Sequence, residues 1–361
     1  MSCVNEHATE VLPIFQRSKC TEFHSLSSGT PLWQSHLERD HQCRYIMSTT
    51  APNHKQLLIL TTWGLDFSKE DRWSEELQRI KDAGYDAIEA VPIFNYATNP
   101  QGFRSILEEV GLGLIIQIHT DGGYFEDGEY VYCKSCSLEN HLDSMKEQLV
   151  AAKTMNPIHV NVHAGHDSWD HEQSVDFFLK AQELSEQFGF ANKLSFETHR
   201  HRLLYSPYPT RQLLQDPRIQ GKIHLTADLS HWCCVCHSVF DSNNPRDANW
   251  WPDLLQLVAD HTLLIHCRVG FDQGPQIPDP RDPAYAMTVQ RHLEWWKSIW
   301  KTQVLQKEQQ HTTLLCEMEF GPAPYMMVLP YTNQPVASQW DVNNAMRDMV
   351  VQAYEDTFAA S

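Results

Sequence analysis

The 361-residue chain has no apolar run approaching the roughly 18 residues a membrane span requires, which argues against a transmembrane helix. Basic residues are few: 28 Lys and Arg stand against 46 Asp and Glu, a formal net charge of −18. Such a chain lacks the basic footprint that holds nucleic acid, so neither nucleic acid nor a membrane is expected as a partner. There is no Walker A sequence and no dinucleotide-binding glycine fingerprint; the glycines at Gly111 and Gly113 read as a turn into a strand. The first residues show no basic start followed by an apolar segment, and Glu6, Glu10 and Glu22 do not suit a transit peptide. The ten cysteines therefore read as reduced thiols in a cytoplasmic protein. No internal repeat or low-complexity tract occurs, and homo-oligomerisation is left open.

What is present is a rhythm. Residues 1–54 lack periodicity and read as a poorly ordered or peripheral extension. Over 55–361, short β-branched or Leu-rich runs alternate with longer amphipathic ones. The pattern predicts strands at 57–62, 87–91, 114–119, 159–163, 194–197, 223–228, 263–268 and 313–319. It predicts helices at 69–83, 100–110, 138–155, 173–188, 210–214, 251–259, 283–305 and 342–358. Ser68 is the expected cap of the first helix and Gly84 its stop. Eight strands alternating with eight helices specify an α/β chain folded as one (β/α)8 TIM barrel. Long loops at 120–136, 271–283 and 321–340 follow strands three, seven and eight. They emerge at the C-terminal face, where barrel chemistry is built.

Polar residues collect at the strand ends. Strand three ends in Gln117 and His119, strand four in Asn161 and His163, and strand five in Ser195 and Glu197, followed by His199, Arg200 and Arg202. Strand six ends in Thr226 and Asp228, followed by His231; strand seven carries His266 and Arg268, and strand eight Glu317 and Glu319. Side chains two apart share a face, so the inward set converges on one pocket. Burying several carboxylates together is costly unless a cation compensates. Two Glu, one Asp and one His on four adjacent strands meet that need by binding one divalent metal ion. Mostly oxygen ligands with one imidazole suit Mn²⁺, Mg²⁺ or Co²⁺, and Zn²⁺ is also allowed. Parity alone leaves Glu317 and Glu319 equivalent.

The stretches FETHRHR, LTADLSHW, LLIHCRVG and EMEFGPAPYM resemble the xylose-isomerase-like barrels of the sugar-phosphate isomerase/epimerase superfamily, over about residues 56–358. The resemblance implies Glu197, Asp228, His266 and Glu319 as metal ligands, the EFGP context favouring Glu319 over Glu317. It implies substrate contacts for His231, the last residue of a D-x-x-H pattern, and for Arg268. It further implies that Glu197 and Glu319 are the acid/base pair, moving a proton through an enediolate on a small carbohydrate-like substrate: a sugar, keto-sugar or polyol derivative. His119, His163, His199, Arg200 and Arg202 are further candidates to face the substrate, His163 and His119 foremost because both close a strand, and Trp63 is a candidate to stack on a sugar face. The alternative is a lyase or dehydratase acting on a keto-sugar, keto-inositol or glycoside. A phosphodiesterase and a non-catalytic binding barrel rank lower. Cys133/Cys136 and Cys233/Cys236 have the spacing of zinc half-sites, and the latter followed by His237 that of a haem attachment, but they fall on separate loops and are discounted.

Overall fold

Parallel strands covered by helices on one face and enclosing an interior on the other must be apolar on both, and the strands of this protein are short and almost wholly buried. The structure, a computed structural model, describes residues 54–91, 96, 98–126, 129–306 and 312–359. Four strands open the barrel: β1 (His54–Thr61), β2 (Ala87–Ala90), β3 (Gly113–His119) and β6 (His159–His163). Four complete it: β7 (Leu194–Glu197), β8 (Leu225–Ala227), β9 (Thr262–His266) and β10 (Thr312–Met318). All pair in parallel, and β10 closes the barrel on β1. The closed eight-stranded parallel barrel is the expected (β/α)8 fold. Strand β1 begins at His54, whose Nδ1 lies 2.8 Å from the Tyr354 hydroxyl. The rest of the expected extension lies outside the described residues.

The helices follow the predicted periodicity: α1 (Trp73–Asp82), α2 (Pro100–Val110), α3 (Leu138–Thr154), α4 (His171–Phe188) and α5 (Pro207–Leu214). After these come α6 (Ser230–Cys236), α7 (Trp251–His261), α8 (Ala286–Gln306) and α9 (Gln339–Phe358). Helix α4 starts in a capping box of Asp170 and Gln173 and stops at Gly189, φ +84°. Two elements escaped the periodicity: the short helix α6, and an antiparallel hairpin of β4 (Tyr124–Glu126) and β5 (Glu129–Val131). Ser68 does not cap α1. Its hydroxyl donates to Asp66 Oδ1 at 2.6 Å, and a 3-10 turn at Glu70–Arg72 leads into the helix instead. A short side chain two residues away competes successfully for the capping hydroxyl.

Inside the barrel, Leu57, Ile59, Ala87, Ile115, Leu264 and Leu315 form an apolar plug. Register places Ile115 beside His159, Gln117 beside Asn161 and His119 beside His163. Each step of two residues toward the C-terminal ends therefore raises the lining one level and makes it more polar. Outside, α2 packs Phe103 against Trp73 and Tyr96 with ring centroids 5.0 Å apart in each case. Phe103 is fully buried, so Phe103→Ala is expected to cost about 3–5 kcal/mol in urea-monitored unfolding. A loss under about 1 kcal/mol would show that this helix layer is not packed as described.

Candidate metal centre and substrate cavity

Polar side chains stand on two levels at the mouth of the barrel. The lower level contains Glu89, Gln117, Asn161, His266 and Glu317, all buried. Gln117 Nε2 donates to Glu89 Oε1 at 2.6 Å, and Asn161 Nδ2 donates upward to Glu197 Oε2 at 2.7 Å. The upper level is built where strands end: Glu197 closes β7, Asp228 follows β8, Arg268 lies just past β9, and Glu319 follows β10.

His266 joins the levels. Its Nδ1 lies 2.8 Å from Glu319 Oε2, 3.8 Å from Glu197 Oε2 and 3.9 Å from Asp228 Oδ2. Its Nε2 lies 3.5 Å from Glu317 Oε2 and 3.7 Å from Glu89 Oε2. Glu197, Asp228, His266 and Glu319 each offer one ligand atom within 4.8 Å of the others. Glu89, His266 and Glu317 form a second such group, and His163, Glu197 and His199 a third.

Negative charge is in excess here. Five buried carboxylates (Glu89, Glu197, Asp228, Glu317 and Glu319) surround His266, and Arg268 is the guanidinium paired with two of them. Arg268 Nη2 donates to Asp228 Oδ2, and its Nη1 lies 3.2 Å from Glu319 Oε2. Burial pushes the Glu197 and Glu317 carboxyls well above the ordinary carboxylate range. It also raises Asp228, to about 6, against the pull of Arg268. Glu319 goes the other way: burial would raise it, but Arg268 and His266 together hold it down at about 2. Carboxyls split in this manner mark a site short of positive charge.

The donor set fits a divalent cation. Glu197 Oε1, Glu319 Oε2 and His266 Nδ1 are buried without hydrogen-bond partners. The 2.8 Å approach of His266 Nδ1 to Glu319 Oε2 thus lacks hydrogen-bond geometry. The two atoms converge on shared space, as ligands of one ion do.

Four imidazoles form an arc beside this centre. From His119 through His163 and His199 to His231, successive ring centroids are 4.1, 4.5 and 3.9 Å apart. Burial lowers the pKa of all four, that of His119 to about 3, which keeps the arc neutral. His163 Nε2 lies 2.6 Å from Glu197 Oε2, and Arg268 Nη2 donates to His231 Nε2 at 2.8 Å.

Above lies a cavity of about 440 Å³. Glu89, Gln117, His119, His163, Arg268 and Glu319 line its polar part; Trp63, Leu65, Tyr130, Tyr132, Pro324 and Tyr325 line the rest. Of the residues singled out in the sequence, Trp63, Gln117, His119, His163, His199, Arg268 and Glu319 line the cavity. Glu197, Asp228, His231 and His266 are buried behind that lining. Arg200 stands over the Tyr325 ring, 4.7 Å from its centroid. The sequence reading passed over Glu89 and the tyrosines. Glu89 had a signal, a lone carboxylate inside an apolar strand with the parity of Ala87; the tyrosines fall in segments expected as loops, Tyr130 in the unforeseen hairpin strand β5, where no period assigns direction. Among the described residues, no cysteine belongs to a group able to hold a metal.

No family model matches the chain, and no curated protein matches its sequence. Solved structures do match. An L-ribulose 3-epimerase superposes with a TM-score of 0.52 at 13% identity, covering 83% of this chain and 95% of that one. The IolI protein with a bound zinc atom gives 0.51 at 11% identity, covering 84% and 97%. A xylose isomerase domain protein from Planctomyces limnophilus gives 0.50 at 14% identity, covering 84% and 97%. The chain therefore has the fold of the xylose-isomerase-like sugar isomerase and epimerase barrels.

Glu317 provides a test of the charge excess. Neither of its oxygens has a hydrogen-bond partner, so Glu317→Gln should stabilise metal-free protein by about 1–3 kcal/mol in urea unfolding. Destabilisation by that amount would mean that the Glu317 charge is compensated.

Proposed function

We propose that the protein is a divalent-metal-dependent isomerase or epimerase of a carbohydrate with adjacent carbonyl and hydroxyl groups. The observation that carries this reading is the set of four buried donors, from four consecutive barrel strands, within 4.8 Å of one another beneath a cavity. Glu197, Asp228, His266 and Glu319 would hold the ion. When bound, it supplies a Lewis acid that polarises the carbonyl and acidifies the neighbouring C–H. Glu197 and Glu319 belong to strands separated around the barrel by β8 and β9, so they reach the substrate from different sides. One takes the proton from carbon and the other returns one, the division of labour that general acid–base catalysis requires. Arg268 and His231 steady the oxygen that gains charge. His163, 2.6 Å from Glu197 Oε2, orients that carboxylate.

Elimination from a keto-sugar is the second reading. The Tyr130 hydroxyl lies 3.0 Å from His119 Nδ1, and both line the cavity, where they could pass a proton to a leaving group.

Two measurements test the proposal. Protein loaded with Mn²⁺ and dialysed should retain one metal equivalent by elemental analysis; full retention by a variant lacking all four donors would end the ligand assignment. In deuterated water, a panel of ketoses should exchange the hydrogen next to the carbonyl, followed by proton NMR. Glu197→Gln and Glu319→Gln should each slow that exchange by about 10²–10⁴-fold. An enone chromophore would select elimination, and no exchange from metal-loaded protein would end both readings.

A further inference from the structure

The cavity is divided in a way that one bare sugar ring does not explain. Its polar part adjoins the proposed metal centre, whereas Trp63, Leu65, Tyr130, Tyr132, Pro324 and Tyr325 present aromatic and apolar surface. Its volume of about 440 Å³ lies within the range that encloses drug-sized ligands, roughly 300–1,000 Å³.

The aromatic walls are preformed. Trp63 packs against Gly321, where any Cβ would collide with the indole ring. Its carbonyl accepts from Gln339 Nε2 at 2.6 Å. Tyr325 meets Trp63 edge-on at 4.8 Å between centroids, and the guanidinium carbons of Arg200 and Arg268 stand 4.7 and 5.0 Å from its ring centre. Surfaces fixed in this way need no ordering when a ligand arrives.

The charge around the cavity disfavours phosphate. Among the described lining residues the one cation is Arg268, and Asp228 and Glu319 already hold it. A phosphate dianion would meet the Glu89 and Glu319 carboxylates, and among the described lining residues no guanidinium or ammonium is free to bind it.

We propose that the substrate is an unphosphorylated carbohydrate carrying an aromatic substituent. The sugar ring lies on the polar floor and the substituent against the Trp63–Tyr325 wall. This rests on the function proposed above and specifies its substrate class. Trp63, Tyr132 and Tyr325 become specificity-determining residues, with no part in moving the proton.

Calorimetric titration of Mn²⁺-loaded protein with matched methyl and phenyl glycosides of glucose and galactose measures the wall directly, without turnover. The phenyl member of at least one pair should bind at least about tenfold more tightly than its methyl partner. Excess inorganic phosphate should leave that affinity unchanged. Trp63→Ala should remove the phenyl advantage, lowering phenyl affinity at least about fivefold more than methyl affinity, and Tyr132→Ala provides a second variant should the first fail to fold. Equal affinities in every pair, no binding of any phenyl glycoside, or displacement by phosphate would overturn the proposal. An intact phenyl preference in a protein that exchanges no hydrogen would refute the catalytic reading alone. Exchange on simple ketoses with no phenyl preference would refute this one alone.

Discussion

The mutual repulsion of carboxylates around His266 governs this end of the barrel. Glu197, Asp228 and Glu319 lie on the Nδ1 side of the imidazole, and Glu89 and Glu317 on the Nε2 side, all of them buried. Like charges at these distances cannot all ionise in a protein interior without compensation. Arg268 answers part of the demand through Asp228 and Glu319. Burial first, and then the uncompensated remainder, pushes Glu197 and Glu317 toward their protonated forms, while Arg268 and His266 hold Glu319 ionised. Such a cluster is a standing cost to folding, and proteins keep such costs where they support chemistry.

The rest of the barrel holds that cluster in register. Parallel pairing sets Glu317 beside His266 and Thr226 beside Glu197, so the side chains of different strands arrive at matched heights. Below them the polar members of the next layer are satisfied among themselves: His159 Nε2 lies 2.6 Å from Ser195 Oγ, which lies 2.6 Å from Thr226 Oγ1. Beneath the mouth, the apolar plug fills the interior and denies water a route from the far end. Among the described residues, the cavity lined by Trp63 and the tyrosines is what opens over the cluster.

Sequence legibility followed periodicity. The strands and most helices could be read because burial on both faces of a parallel strand, or one face of a helix, imposes a repeat. The convergence of His266, Glu197 and Asp228 followed from the same rule, since strand parity and strand order fix both direction and height. The rule failed where no repeat exists. Tyr130 is placed by the β4–β5 hairpin and Tyr325 by loop conformation, and Ser68 lost its capping role to a local contact with Asp66. Parity also could not separate Glu317 from Glu319, which share a face. Their difference is one of level: Glu319 faces His266 Nδ1 and Arg268, Glu317 faces Nε2 and Glu89.

That difference of level gives the lower carboxylates a role. Against burial, the surrounding carboxylates hold the His266 pKa well above the ordinary imidazole value, so the group is cationic until an ion replaces its proton. As a metal ligand it is neutral, with one N–H to place and a lone pair on its other nitrogen. Glu317 and Glu89 on the Nε2 side favour the proton there. The Nδ1 lone pair is then left for the ion that Nδ1 and Glu319 Oε2, 2.8 Å apart without hydrogen-bond geometry, would share. Carboxylates beneath the histidine thus orient it toward a cation in the way that outer hydrogen bonds orient ligating imidazoles generally. A barrel with Gln at 317 and 89 would keep the four upper donors but lose the bias on the imidazole. The two buried glutamates missing from any count of four ligands are therefore part of what makes those four suitable.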